Sequence, residues 1–202
     1  MCMTLISNNP YEVNKITEPW AYIDNLFTED ELASILKYCS SKELNRSNTV
    51  NSDNKVRISS NSFNDVDAEN AWFIRKINEA VVSINDRFYG FDLYGYSFFQ
   101  YAEYDGSENA KYDGHLDLIM GSVKPTYMLD TRKLSITILL SEPDKDFTGG
   151  DFFIHQSAEA TNLKMSKGQM IFFPSFMLHG VKPVLSGVRK SIVIWVEGPK
   201  FK

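Results

Sequence analysis

The chain has 202 residues, 43% of them hydrophobic, which is enough for one domain with a sizeable core. Its formal net charge of −5 argues against broad electrostatic capture of nucleic acid or of an anionic membrane surface. No apolar run is long enough to span a bilayer, and Cys2 and Cys39 are the only cysteines, so no disulfide framework is expected.

Met1 to Asn9 lacks a basic region followed by a long apolar one, and a cytoplasmic location is the expectation. The first helix is predicted to begin at Thr28. Thr28-Glu29-Asp30-Glu31 has the spacing of a capping box, and Leu32, Ile35, Leu36 and Cys39 then share one face. From Leu44 to Asn64 the chain is rich in Asn and Ser and reads as an exposed loop or irregular hairpin. A longer helix is predicted over Asp67 to Phe88, with Phe73, Ile77, Ala80, Val81, Ile84 and Phe88 as its apolar stripe.

After Tyr89-Gly90 the periodicity changes to that of strands. These are predicted over Tyr96–Tyr101, Arg132–Ser141 (buried on both faces), Asp151–Ile154, Met170–Phe173 and Arg189–Val196. Two polar connections, Glu103 to Gly114 and Gly121 to Asp130, flank the chemistry-bearing residues and read as candidate substrate loops. No repeat, low-complexity tract or linker divides the chain. A single domain over 1–202 is expected, with helical support over about 1–90 and a β core over about 91–198. Helices followed by about eight strands predict a mainly β fold, a double-stranded β-helix (jelly-roll) buttressed by two or more helices.

The most informative residues are His115-Leu116-Asp117, His179 and Arg189-Lys190-Ser191. Two imidazoles and one carboxylate form the ligand set that holds Fe(II) on one face and leaves the other positions open. Residues two apart on a strand share a face, so His115 and Asp117 are expected to point into the barrel mouth, with His179 entering from the other sheet. A plainer reading makes His179 a hydrogen-bonded histidine at a strand edge. His155 follows the Gly149-Gly150 turn without a comparable setting and is taken as structural. Arg189, Ser191, Val193 and Trp195 alternate along one strand and should face inward together. A buried Arg needs a partner, and its two-pronged fork suits the distal carboxylate of 2-oxoglutarate. Ser135 and Thr137 alternate in the same way and are candidates to line that pocket.

From about Lys55 to Glu197 the chain resembles the prolyl 4-hydroxylase-like 2-oxoglutarate/Fe(II) dioxygenases. Val56-Arg57-Ile58-Ser59-Ser60, then Phe63, is similar to the family's Arg-x-Ser segment. Gln100, Tyr101, Tyr104-Asp105-Gly106 and Tyr112-Asp113-Gly114-His115-Leu116-Asp117 resemble its central signature. Arg132-Lys133-Leu134-Ser135, Gly149-Gly150-Asp151, Gly168, Phe172-Phe173-Pro174, His179, Arg189 and Trp195 complete the ordered set. The resemblance implies that His115, Asp117 and His179 are the iron ligands and catalytic core. It also implies that Arg189 holds the distal carboxylate, that Tyr104 hydrogen-bonds the co-substrate and that Tyr112 is a wall of the site. With Ser191, Thr137 and Trp195, Arg189 and Tyr104 make up the expected cofactor-binding set. The implied cofactors are Fe(II), 2-oxoglutarate and dioxygen, with ascorbate as a further candidate. Asp117 points to hydroxylation, because related halogenases lack this carboxylate. Ser107 to Lys111 is an insertion, and Arg189 places the chain with the Arg-bearing branch. The implied substrate is a prolyl residue in a peptide or protein, with no nucleic-acid or membrane partner. The alternatives are a free amino acid, another small molecule or a nucleobase, or a non-catalytic binding module of cupin type.

Overall fold

The computed structural model describes residues 18–47, 56–118 and 131–201. Helix α1 (Glu29–Ser40) starts where its sequence says it should. The Thr28 side chain accepts the Glu31 N–H and the Glu31 carboxylate accepts the Thr28 N–H, so two donors at the helix start are satisfied reciprocally. Leu32, Ile35 and Cys39 are its buried face.

Helix α2 (Ala71–Ile84) is shorter than predicted at both ends. Asp67 and Asn70 exchange side-chain–backbone hydrogen bonds in a turn ahead of it. At its other end five residues, Asn85–Tyr89, form a π-helical turn closed by Gly90 in the left-handed region. The predicted stripe faces inward, with Phe73, Ile77, Ala80, Val81 and Ile84 buried.

Thirteen strands occur among the described residues, all paired antiparallel. The larger sheet contains β1 (Ala21–Ile23), β2 (Asn45–Arg46), β4 (Ser60–Asp65), β5 (Phe98–Asp105), β7 (Thr131–Leu139), β11 (Met170–Pro174) and β13 (Val184–Gly198), in the order β1-β11-β7-β13-β5-β4-β2. Strand β8 (Phe147–Gly149) pairs with the start of β13. A smaller sheet runs β10-β9-β12-β6-β3, from β3 (Arg57–Ile58), β6 (Lys111–His115), β9 (Phe152–His155), β10 (Ala160–Leu163) and β12 (His179–Val181).

Each face of the larger sheet has its own core. Ile136, Ile138, Phe172, Ile192 and Ile194 pack against α1 and α2, whereas Leu139, Ile171 and Phe173 meet Phe152, Ile154 and Val181 of the smaller sheet. Strand β7 lies between these cores and is buried on both faces, as its composition predicts. The architecture is a double-stranded β-helix backed by two helices.

Two predicted loops are corrected. Leu44 to Asn64 reads in sequence as an exposed loop or irregular hairpin; its described residues supply β2, β3 and most of β4, so the antiparallel β2–β4 pairing agrees with a hairpin while the exposure does not hold. Ser47, Ser59, Asn61, Ser62 and Asn64 are buried there. Their polar groups bond to one another, as Ser47 Oγ does to Ser59 Oγ at 2.7 Å, so polarity does not force exposure. The N-terminal part therefore contributes strands to both sheets as well as helices.

Glu103 to Gly114 was expected to be a substrate loop. It holds the end of β5, a 3-10 turn over Gly106–Glu108 and most of β6, and so forms a packed corner that carries the chain from one sheet to the other. A Cβ at Gly106 would sit 2.5 Å from Ser186 Cα, which leaves no freedom to swing over a ligand. The other candidate loop, Gly121–Asp130, lies outside the described residues.

Candidate metal centre

His115 is the last residue of β6 and lies directly opposite His179, the first residue of β12. The two imidazoles thus come from adjacent strands of one sheet, not from opposite sheets as the alternation argument predicts. Asp117 lies beyond the end of β6. Its N–H and that of Leu118 both donate to the Ser175 carbonyl at 3.0 Å, which turns the carboxylate inward. Backbone pinning to the β11–β12 connection, in place of strand alternation, brings Asp117 to His115.

The three ligand atoms lie within 4.8 Å of one another, with Asp117 Oδ2 3.3 Å from His179 Nε2 and Oδ1 3.6 Å from His115 Nε2. A divalent first-row metal with bonds near 2.1 Å needs facial ligands about 3 Å apart, close to the two carboxylate–imidazole separations here. Both histidines are oriented alike: Nδ1 of His115 bonds the Asp113 carbonyl and Nδ1 of His179 the Met177 carbonyl, each at 2.9 Å. With Nδ1 as donor, each Nε2 presents its lone pair to the centre. Burial pushes the His115 imidazole below its ordinary pKa and favours the neutral ligand form. Burial alone would raise Asp117, but the His179 and His115 imidazoles hold its carboxyl well below the usual range.

Ser135 Oγ donates to Asp117 Oδ2 at 2.7 Å and lies 2.9 Å from Ser175 Oγ. Sequence alternation places Ser135 inward; nothing in the sequence marks Ser175, which enters through the β11–β12 turn. Phe173 packs on His179 with ring centroids 4.4 Å apart. His155 ends β9, half-buried, and is not part of the ligand group.

The triad opens into a narrow cleft of about 30 Å³, lined also by Tyr104, Thr137, Arg189, Ser191 and Trp195. All five residues expected to bind co-substrate are therefore brought together. Strand register accounts for the grouping: Arg189 faces Tyr104, Val193 sits between Gln100 and Thr137, and Trp195 faces Ser135.

Arg189 is 1% exposed. Its guanidinium donates to Ser191 Oγ at 3.1 Å and approaches Met165 Sδ at 3.8 Å, and among the described residues no carboxylate forms an ion pair with it. A buried, unpaired guanidinium fits an anionic ligand group better than it fits the empty protein. Gly150 leaves room for it, because a Cβ there would meet Arg189 Cδ at 3.0 Å. Among the described residues, Trp195 Nε1 and Arg132 Nε are buried donors that find no acceptor, and the Arg132 guanidinium lies 4.1 Å from the Trp195 ring centroid.

The sequence model of the 2OG-Fe(II) oxygenase superfamily matches residues 99–197. A PKHD-type hydroxylase of Shewanella baltica is 37% identical over 94 residues, which is 46% of this chain and 40% of that relative. A PKHD-type hydroxylase of Parvibaculum lavamentivorans is 32% identical over 98 residues, 48% of this chain and 42% of the relative. The chain thus spans about two fifths of the length of these curated relatives. Among solved structures, a Pseudomonas putida prolyl-4-hydroxylase has a TM-score of 0.72 at 18% identity, covering 91% of this chain and 95% of that one. A prolyl hydroxylase from Trichoplax adhaerens, in complex with a hypoxia inducible factor peptide fragment, has a TM-score of 0.70 at 18% identity, covering 89% and 84%. The viral collagen prolyl hydroxylase of Paramecium bursaria Chlorella virus-1 in its 2OG complex has a TM-score of 0.68 at 22% identity, covering 90% and 97%. These structural likenesses concern the fold. The ordered motifs, the His-Asp-His centre and the fold are thus similar to those of the prolyl 4-hydroxylase-like 2OG-Fe(II) oxygenases.

Proposed function

We propose that the protein is a 2-oxoglutarate- and Fe(II)-dependent dioxygenase that hydroxylates an unactivated C–H bond, with a prolyl residue of a peptide or protein as its substrate. The observation that carries the reading is Arg189, buried without a carboxylate partner among the described residues in the same cleft as the triad. Its fork and the Ser191 hydroxyl offer the distal carboxylate of 2-oxoglutarate a charge-assisted site. His115, Asp117 and His179 would hold the metal, and Ser135 and Ser175 keep Asp117 in place. Bound Fe(II), with 2-oxoglutarate and dioxygen, supplies the oxidation that converts C–H to C–OH and releases succinate and carbon dioxide.

The chain itself binds, orients and excludes water. Phe152, Phe173 and Val181 give the cleft an apolar wall. The Trp195 Nε1 and Arg132 Nε donors, which find no acceptor among the described residues, suit an acceptor such as a peptide carbonyl. The prolyl assignment draws support from the hydroxylase relatives and from the prolyl hydroxylases that share the fold.

The test is succinate release from 2-oxoglutarate under air with added Fe(II), in wild type and His179→Ala, with a panel of proline-containing peptides. Iron-dependent release lost in the variant, with one oxygen atom gained by a peptide, supports the proposal. No release from a correctly folded protein would overturn it.

A further inference from the structure

Strand β6 contains a bulge next to the metal ligand. His179 pairs with His115 and Val181 with Tyr112, so three steps along β6 oppose two along β12. Residues three apart on a regular strand point to opposite faces, but the bulge returns the Tyr112 ring to the face of His115. The two rings stack with centroids 3.5 Å apart and an interplanar angle of 15°. The Nδ1 hydrogen bond to Asp113 fixes how the imidazole points within its plane but leaves the tilt of that plane free. Tyr112 constrains the tilt.

Tyr112 is held in turn from β3. Arg57 is its direct cross-strand partner, and the guanidinium carbon lies 4.6 Å from the Tyr112 ring centroid. Arg57 Nε donates to Ser59 Oγ and Nη2 to Gln100 Oε1, both at 2.9 Å. Ser59 is bonded to Ser47, which accepts from Asn61 Nδ2. Ser47, Ser59, Asn61 and Gln100 are all buried. No carboxylate among the described residues pairs with Arg57. This network therefore gives a cation a fixed position over one aromatic ring, with no surface ion pair involved.

We infer that Arg57 is a positioning residue for the metal: it holds Tyr112 in place, and Tyr112 sets the plane of His115, so metal affinity depends on a side chain that touches neither the ion nor its ligands. This rests on the metal-centre reading above. Groups that orient a metal-bound histidine typically change affinity by about 10- to 100-fold when removed.

The test measures Co(II) binding to metal-stripped protein by titration calorimetry, together with the visible ligand-field absorption of the Co(II) form. Arg57→Met is expected to weaken Co(II) binding about tenfold. Tyr112→Leu should do at least as much, whereas Tyr112→Phe, which keeps the ring, should match wild type. Arg57→Lys keeps the cation but loses the two-pronged anchoring and should fall between wild type and Arg57→Met. Because Arg57 acts through Tyr112, the Arg57→Met/Tyr112→Leu double variant should bind no more weakly than Tyr112→Leu alone. Should Arg57→Met fail to fold, Arg57→Lys and the Tyr112 pair carry the comparison. If wild type binds no Co(II), the metal-centre reading itself fails. If wild type binds and Arg57→Met binds equally well with an unchanged spectrum, or if the two losses simply add, the positioning role is overturned.

Discussion

Replacing Arg189 by Met should move protein stability and ligand affinity in opposite directions. The guanidinium is 1% exposed, and no carboxylate among the described residues pairs with it. A buried unpaired charge is costly to desolvate, so exchanging it for an apolar side chain of similar volume should be neutral or stabilising. The ligand-free variant should therefore melt at or above the wild-type temperature. Losing one partner of a buried charge pair costs about 2–5 kcal/mol of binding. A loss of about 3 kcal/mol weakens 2-oxoglutarate binding by roughly 150-fold.

At 2-oxoglutarate near 100 times its Kd, the wild type gains about 2.7 kcal/mol of stability. The variant at the same concentration would gain only about 0.3 kcal/mol. For a chain of this size 1 kcal/mol moves Tm by about 2–4 °C, so the ligand shift should fall from about 5–10 °C to roughly 1 °C. Thermal melts with Mn(II), with and without 2-oxoglutarate and in the absence of air, read both quantities. A variant that melts clearly below wild type yet keeps the full ligand shift would refute the reasoning, because Arg189 would then serve the fold and not the co-substrate.

Ser135→Ala removes the hydroxyl that donates to Asp117 Oδ2 at 2.7 Å, and Co(II) titration should show about tenfold weaker binding with little change in melting temperature. Gly180→Ala places a Cβ against the Tyr112 carbonyl and 2.6 Å from a Phe153 ring atom, between the two residues of β12 that pair with β6. Denaturant melts should show a loss of about 1–3 kcal/mol, and metal affinity should fall with it; a fully stable variant would contradict the tight β6–β12 packing. Burial pushes the Cys39 thiol from 9.0 up to about 12. The unfolded chain ionises first, so the stability tied to the protonated thiol is complete below about pH 9 and is lost as pH rises toward 12. Wild type should lose about 1 kcal/mol more than Cys39→Ala between pH 9 and pH 10 in urea melts, and parallel pH profiles would count against it.

Local pattern determined a good deal of this protein. The capping box at Thr28, the stripe from Phe73 to Ile84 and the doubly buried strand ending at Leu139 each follow from side-chain spacing that acts over a few residues. The inward set Arg189, Ser191, Val193 and Trp195 was legible for the same reason, since alternation along a strand needs no knowledge of its neighbours. Chemistry-bearing residues could be named because few residue types can hold a metal or a dicarboxylate. Their relations to one another were not legible. That His115 and His179 are partners in one sheet depends on which strands pair, and Asp117 is turned inward by a hydrogen bond to Ser175, which lies 58 positions away. Leu44–Asn64 reads as exposed because composition counts polar groups without knowing whether they will bond one another. Ser47, Ser59 and Asn61 do so only once β2, β3 and β4 have come together. The bulge that stacks Tyr112 on His115 is likewise a property of register between β6 and β12. Spacing along the chain fixed which groups could act, and long-range pairing alone decided which of them meet, because hydrogen-bond register and packing are set between segments and not within them.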